Sequence, residues 1–140
     1  MKAKIRRIDG LALAGVSDSN HWVTMDGPAE FGGFLAGARP MELVLLGVAS
    51  CAAMDVLSIL RKKKTKLSDF AVEVDADRAK EHPQVFTAIR LHYILTGKRI
   101  RPADVERSIE LTDEKYCGAI AMLKGNVAIT HDYEIREPDL

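Results

Sequence analysis

Two cysteines offer the most chemistry in this 140-residue chain: Cys51 and, 66 residues later, Cys117. A free cysteine is either a small buried hydrophobe or, where its thiolate is favoured and reachable, a nucleophile. A redox pair requires Cα atoms within about 7 Å of each other. Separation along the chain does not decide that, so at this point both readings stand. Other chemistries find no pattern to support them. His21, His82, His92 and His131 are scattered without metal-ligand spacing. The chain has no His-Glu-x-x-His, no Cys-x-x-Cys, no Gly-x-Ser-x-Gly elbow and no Gly-rich phosphate loop. No metal and no cofactor are expected.

Cys51 must be positioned by a helix. Pro40 suits the first helical turn, where its missing N–H does no harm, and residues 41–63 contain no further proline and only Gly47 among glycines. The pattern predicts a helix of roughly 34 Å, apolar on nearly every face over residues 43–60. Such a helix must be covered on all sides. The remaining chain predicts strands for about one sheet, which covers one side. A second copy must cover the other, so a homodimer is expected. Asp55 inside the apolar run argues against a membrane span, where a central Asp costs roughly 2.5–3.5 kcal/mol. The basic run Arg61-Lys62-Lys63-Lys64 reads as a solvated helix end complementing the dipole.

Cys117 belongs to a shorter helical segment. Pro102 opens a helix that runs to about Leu111. Thr112 can cap a further segment, with Asp113 and Glu114 favourable in its first turn, and Gly125 ends it. Strands are expected at residues 3–8 and 11–16, joined by the hairpin signal Asp9-Gly10, and at 21–25, 70–77, 85–95 and 127–135. Residues 26–39 form a loop rich in Gly and Pro. The order of three strands, long helix, two strands, short helices and strand predicts an α+β fold. An antiparallel sheet packs on a long buried central helix, in one domain over residues 1–140.

Composition excludes more than it selects. Twenty Lys and Arg balance twenty Asp and Glu, which argues against a bulk nucleic-acid binder. A chain of this length buries roughly 68% of its unfolded surface and needs no disulfide staple. The basic start is not followed by an apolar run with a cleavage site. A cytoplasmic protein without membrane or nucleic-acid partners is expected.

The segment Gly37-Ala38-Arg39-Pro40-Met41-Glu42-Leu43-Val44-Leu45-Leu46-Gly47-Val48-Ala49-Ser50-Cys51 resembles the central-helix motif of the OsmC/Ohr family. That motif is a Gly-rich loop, a Pro, one or two Glu, an apolar run and Ala-x-Cys. Glu114-Lys115-Tyr116-Cys117 is similar to the family's second cysteine motif, and the element order matches over nearly the whole chain. The resemblance implies an intertwined homodimer with two central helices between sheets and a site at each subunit interface. It implies a thiol-dependent peroxidase: Cys51 attacks an organic hydroperoxide and becomes a sulfenic acid, Cys117 resolves it to a disulfide, and a small dithiol or lipoyl-type thiol restores it. The alternative on the same dimer is a non-catalytic protein that holds a small apolar or thiol-bearing ligand at the interface.

Two positions depart from the family pattern. The early turn Asp18-Ser19-Asn20-His21 lacks the family's Arg, and Met41 precedes Glu42 where the first Glu would stand. Asp55 lies one turn from Cys51, most simply as a buried polar residue paired with Ser58 or a cation. An anion beside a thiolate disfavours it, so a cation must come from elsewhere. Arg39 and His21 are the candidates, against the plainer readings of a solvated loop Arg and a surface His. Glu42 precedes Cys51 by nine residues, so the two lie about 180° apart around one helix. If Glu42 serves the site, it acts across the dimer; otherwise it stabilises the helix start.

Overall fold

The computed structural model describes residues 1–139 and divides into two compact units, Met1–Val44 and a second from Leu45 onward. The first holds a three-stranded antiparallel meander of β1 (Ala3–Asp9), β2 (Ala12–Ser17) and β3 (Trp22–Met25). The Asp9-Gly10 signal makes the first reversal as expected. Gly10 has a positive φ of 53°, which a glycine adopts without a Cβ penalty. The following loop is organised by Asp26, whose carboxylate accepts N–H bonds from Gly27 at 2.7 Å, Phe34 at 2.9 Å and Ala36 at 3.2 Å. Those bonds hold the Asp26 carboxyl below the ordinary value, the Phe34 N–H most strongly, against the opposing effect of burial. Gly33 allows the loop to close, because a Cβ there would lie 1.8 Å from the Gly27 carbonyl oxygen.

Helix α1 (Pro40–Lys62) begins at Pro40, as its position in the sequence requires. The rest of the second unit contains β4 (Asp69–Arg78), β5 (Phe86–Thr96), α2 (Pro102–Leu111), α3 (Gly118–Leu123) and β6 (Ala128–Arg136). Strand β5 is central, and Ile89, Leu91, Tyr93 and Leu95 on one of its faces are buried. On the opposite face Arg90 donates to Asp75 and Asp77 on β4, and His92 bonds Asp132 on β6 at 2.6 Å.

The fold is α+β, and two details correct the sequence-based picture. The strands form two three-stranded sheets, and β6 pairs with β5 in parallel, Tyr93 opposite Tyr133. A parallel return needs a crossover of a dozen residues or more; residues 97–127, with α2 and α3, supply it. Within the chain the long helix buries one stripe, Val48, Ala49, Ala52, Val56 and Leu60, as expected of a chain whose own sheet covers one side. Leu46, Met54 and Leu57 on its other side are exposed. By length and composition α1 could cross a membrane; within the chain only one stripe of it is buried.

Candidate active site

Three side chains of the second unit converge. Cys51 and Asp55 sit four residues apart on α1 and so share a face. Cys117 arrives from the segment after α2. Residues Thr112–Tyr116 make a single π turn, closed by the Cys117 N–H donating to the Thr112 carbonyl at 3.0 Å. A π turn widens the helix locally and re-aims the chain beyond it. Cys117 then caps α3, its Sγ accepting the Ile120 N–H at 3.4 Å. Thr112 is therefore not the cap that the sequence predicts, and its buried hydroxyl oxygen has no hydrogen-bond partner among the described residues.

The two thiol sulfurs and a carboxylate oxygen of Asp55 all lie within 4.8 Å of one another. Both thiols are free. To reach a bond length of about 2.0 Å the sulfurs need to approach by no more than about 2.8 Å. Their surroundings differ. Cys117 is 2% exposed, and burial pushes its thiol up to about 11; a side-chain hydrogen bond with the neighbouring Cys51, and the like charge there, add to this, and N–H bonds from Ile120 and Ala119 only partly offset it. It is a thiol at neutral pH. Cys51 is only half-buried.

Asp55 does not take the expected Ser58 partner. Its buried Oδ2 has no hydrogen-bond partner among the described residues. Instead Asp55 and Ser58 both line a pocket of about 190 Å³ with Ile59, Lys62, Leu111 and Tyr116. A buried unpaired carboxylate oxygen is costly, and where one persists it calls for an explanation.

A polar chain in the same unit runs from Tyr93 to Lys124. The Tyr93 hydroxyl meets His131 Nδ1 at 3.1 Å, His131 Nε2 meets Asp113 Oδ1 at 2.9 Å, and Lys124 Nζ donates to Asp113 Oδ2 at 2.5 Å. Tyr93 is fully buried; burial drives its phenol well above the ordinary range, with the negative charges of Cys117 and Asp113 adding to the effect. Nothing in residue spacing singled out this chain, because it depends on the parallel pairing of β6 beside β5.

The remaining expected site residues lie in the first unit. Arg39 and Glu42 form an exposed ion pair at 3.9 Å at the start of α1. His21 is exposed before β3, and its Nδ1 lies 2.9 Å from the Ser19 carbonyl oxygen. It also lines an open groove of about 280 Å³ with Ile5, Gly15, Val23, Met25 and Leu43. The structure thus brings Cys51 to Cys117 in one unit and Arg39 to Glu42 in the other, while His21 bonds within its own turn.

Known proteins resemble this chain along nearly its full length. The family model described as OsmC-like protein matches residues 31–132. Protein YhfA of Escherichia coli (strain K12) is 41% identical over 135 residues, covering 96% of this chain and 98% of that one. A crystal structure of a hypothetical protein from Aquifex aeolicus VF5 superimposes with a TM-score of 0.87 at 24% identity, covering 99% and 97% of the two chains. The organic hydroperoxide resistance protein OhrB of Bacillus subtilis shares the fold, with a TM-score of 0.63 at 19% identity and coverage of 96% and 98%.

Proposed function

The chain belongs to the OsmC-like family, and from that premise we propose that it is a thiol-dependent peroxidase that reduces organic hydroperoxides as a cytoplasmic homodimer. The observation that carries the reading is the approach of Cys51 and Cys117 within 4.8 Å, with unequal exposure of the two thiols. The substrate class is taken from the name of the Bacillus subtilis relative.

The half-buried thiol reacts first. The Cys51 thiolate attacks the terminal peroxide oxygen, the O–O bond breaks, and the alkoxide takes a proton to leave as an alcohol. Cys51 is then a sulfenic acid, oxidised by two electrons. Cys117 loses its proton and attacks the Cys51 sulfur; the S–S bond forms and the hydroxyl leaves as water. A small dithiol or lipoyl-type reductant returns both thiols by two exchanges. Glu42, Arg39 and His21 are proposed as substrate-side groups. Homodimerisation is supported by the apolar side chains that α1 leaves exposed, Leu46 and Met54 among them.

The test counts free thiols in reduced protein mixed with cumene hydroperoxide. Wild type is expected to lose both of its thiols per chain. Cys51→Ser is expected to keep Cys117 reduced, and Cys117→Ser to accumulate a Cys51 sulfenic acid. No thiol loss over hours in excess hydroperoxide defeats the reading and favours the alternative, a non-catalytic dimer that holds a small apolar or thiol-bearing ligand at the subunit interface.

A further inference from the structure

The orphaned oxygen of Asp55 is not used by the disulfide chemistry, and it stands in a cluster with the composition of a metal site. We propose that the reduced protein binds one zinc ion per chain through Cys51, Asp55 and Cys117. Three features of the geometry support this.

First, the three ligand atoms lie within 4.8 Å of one another. Tetrahedral zinc with Zn–S bonds of about 2.3 Å places neighbouring ligand atoms about 3.5–3.8 Å apart. That spacing lies inside the observed limit and needs only small side-chain adjustment. Second, Cys51 and Asp55 occupy positions i and i+4 of one helix, the spacing by which paired ligands on a helix reach one ion. Cys117 approaches from a different element, the cap of α3, which makes a two-element clamp. Third, Asp55 Oδ2 is buried without a hydrogen-bond partner among the described residues; a cation held by this carboxylate would compensate it. Two thiolates with one carboxylate suit a borderline-soft divalent cation rather than magnesium or calcium, which take oxygen ligands. The fourth zinc position would be filled by water.

Binding replaces thiol protons: two Cys S–H groups and Zn²⁺ give two Zn–S bonds and release two protons, with the carboxylate bound as it stands. The zinc form and the disulfide form are mutually exclusive, because the same sulfurs are used in each.

The experiment titrates reduced, chelator-treated protein with Co²⁺ as a spectroscopic stand-in, without oxygen, and then displaces it with Zn²⁺. One equivalent per chain is expected, with sulfur-to-cobalt charge-transfer absorption that disappears on adding zinc. Cys51→Ser and Cys117→Ser are expected each to lower that absorption and weaken binding, and Asp55→Asn to weaken binding about tenfold or more. Absence of the charge-transfer band in wild type overturns the proposal. So does binding that survives both cysteine variants, which would assign the metal to surface histidines, or affinity indifferent to Asp55→Asn. Peroxide plays no part in the titration. A protein that binds zinc but ignores hydroperoxide therefore defeats the peroxidase reading alone, and one that forms the disulfide but gives no thiolate–cobalt band defeats the zinc site alone.

Discussion

Each unit contains a three-stranded sheet, yet only one of the two sheets has a well-buried face. Every residue of β1 is exposed, and Ile5, Ile8, Trp22 and Val23 of that sheet are among the exposed large hydrophobics. In the second unit Ile89, Tyr93 and Leu95 of β5 are fully buried. The strand count is equal; the difference lies in what covers the strands. A sheet becomes a core only when a second layer lies on its apolar face, and contiguous exposed apolar surface marks a face that meets something else. The first unit is held locally by polar means, with the Asp26 carboxylate gathering three loop N–H groups. The second is held by apolar packing. The Cys51–Asp55–Cys117 cluster sits in the second, where thiol positions are fixed by a packed helix and a capped turn.

Substitutions test this contrast most strongly at β5. Leu91 is 1% exposed, and Leu91→Ala is expected to cost about 2–5 kcal/mol in urea unfolding, through lost burial and a residual cavity. Met54 on α1 is 69% exposed in the single chain. On a free surface Met54→Glu would change stability by only about 0.5 kcal/mol. Because the proposed dimer covers this position, the substitution is expected instead to halve the mass seen by sedimentation and to make the melting temperature fall with dilution. A monomeric wild type, or a variant of unchanged mass, would break the proposed use of the exposed face.

The local signals in the sequence are strong where one residue type has one physical use. Pro40 and Pro102 mark the starts of α1 and α2, and Asp9-Gly10 marks the first hairpin. The alternation Ile89, Leu91, Tyr93, Leu95 marks the buried face of β5. Pairings between distant segments are not legible. The order of elements allows either direction for β6, and the parallel choice alone sets His131 near Tyr93. Cys117 stands out by residue type, but its approach to Cys51 depends on a π turn at residues 112–116 that no propensity announces. Asp55 is visible as a polar residue in an apolar run; that its Oδ2 is unpaired among the described residues, and that its carboxylate lies near two sulfurs, is not.

The cluster sharpens the contrast through pH. Burial holds Cys117 up to about 11, so below that value its thiolate fraction rises about tenfold per pH unit. After a single pulse of hydroperoxide, the rate of disulfide closure is expected to climb with pH throughout the neutral range, measured by quenching and thiol counting. Closure independent of pH there would mean that Cys117 is not buried when it reacts.

The smallest effects come from two charged groups, one in each unit, that act with opposite sign. Asp26 in the first unit has its carboxyl held below the ordinary value of 3.8 by the loop N–H groups. Its contribution to stability is present above that value and is lost as pH falls through the folded-state value. Asp26→Asn is therefore expected to lower the melting temperature at neutral pH, with the gap closing in strong acid. His92 in the second unit is held above the ordinary 6.5, chiefly by its bond to Asp132, against the opposing effect of burial. Its contribution is present below 6.5 and is lost as pH rises through the folded-state value. On an exposed face the pair is worth little. His92→Gln is expected to lower the melting temperature by about 1–2 °C in mild acid and to leave it unchanged at alkaline pH. A gap for His92→Gln that widened with rising pH would reverse the sign of this linkage, and would mean that the ring is held neutral in the folded protein.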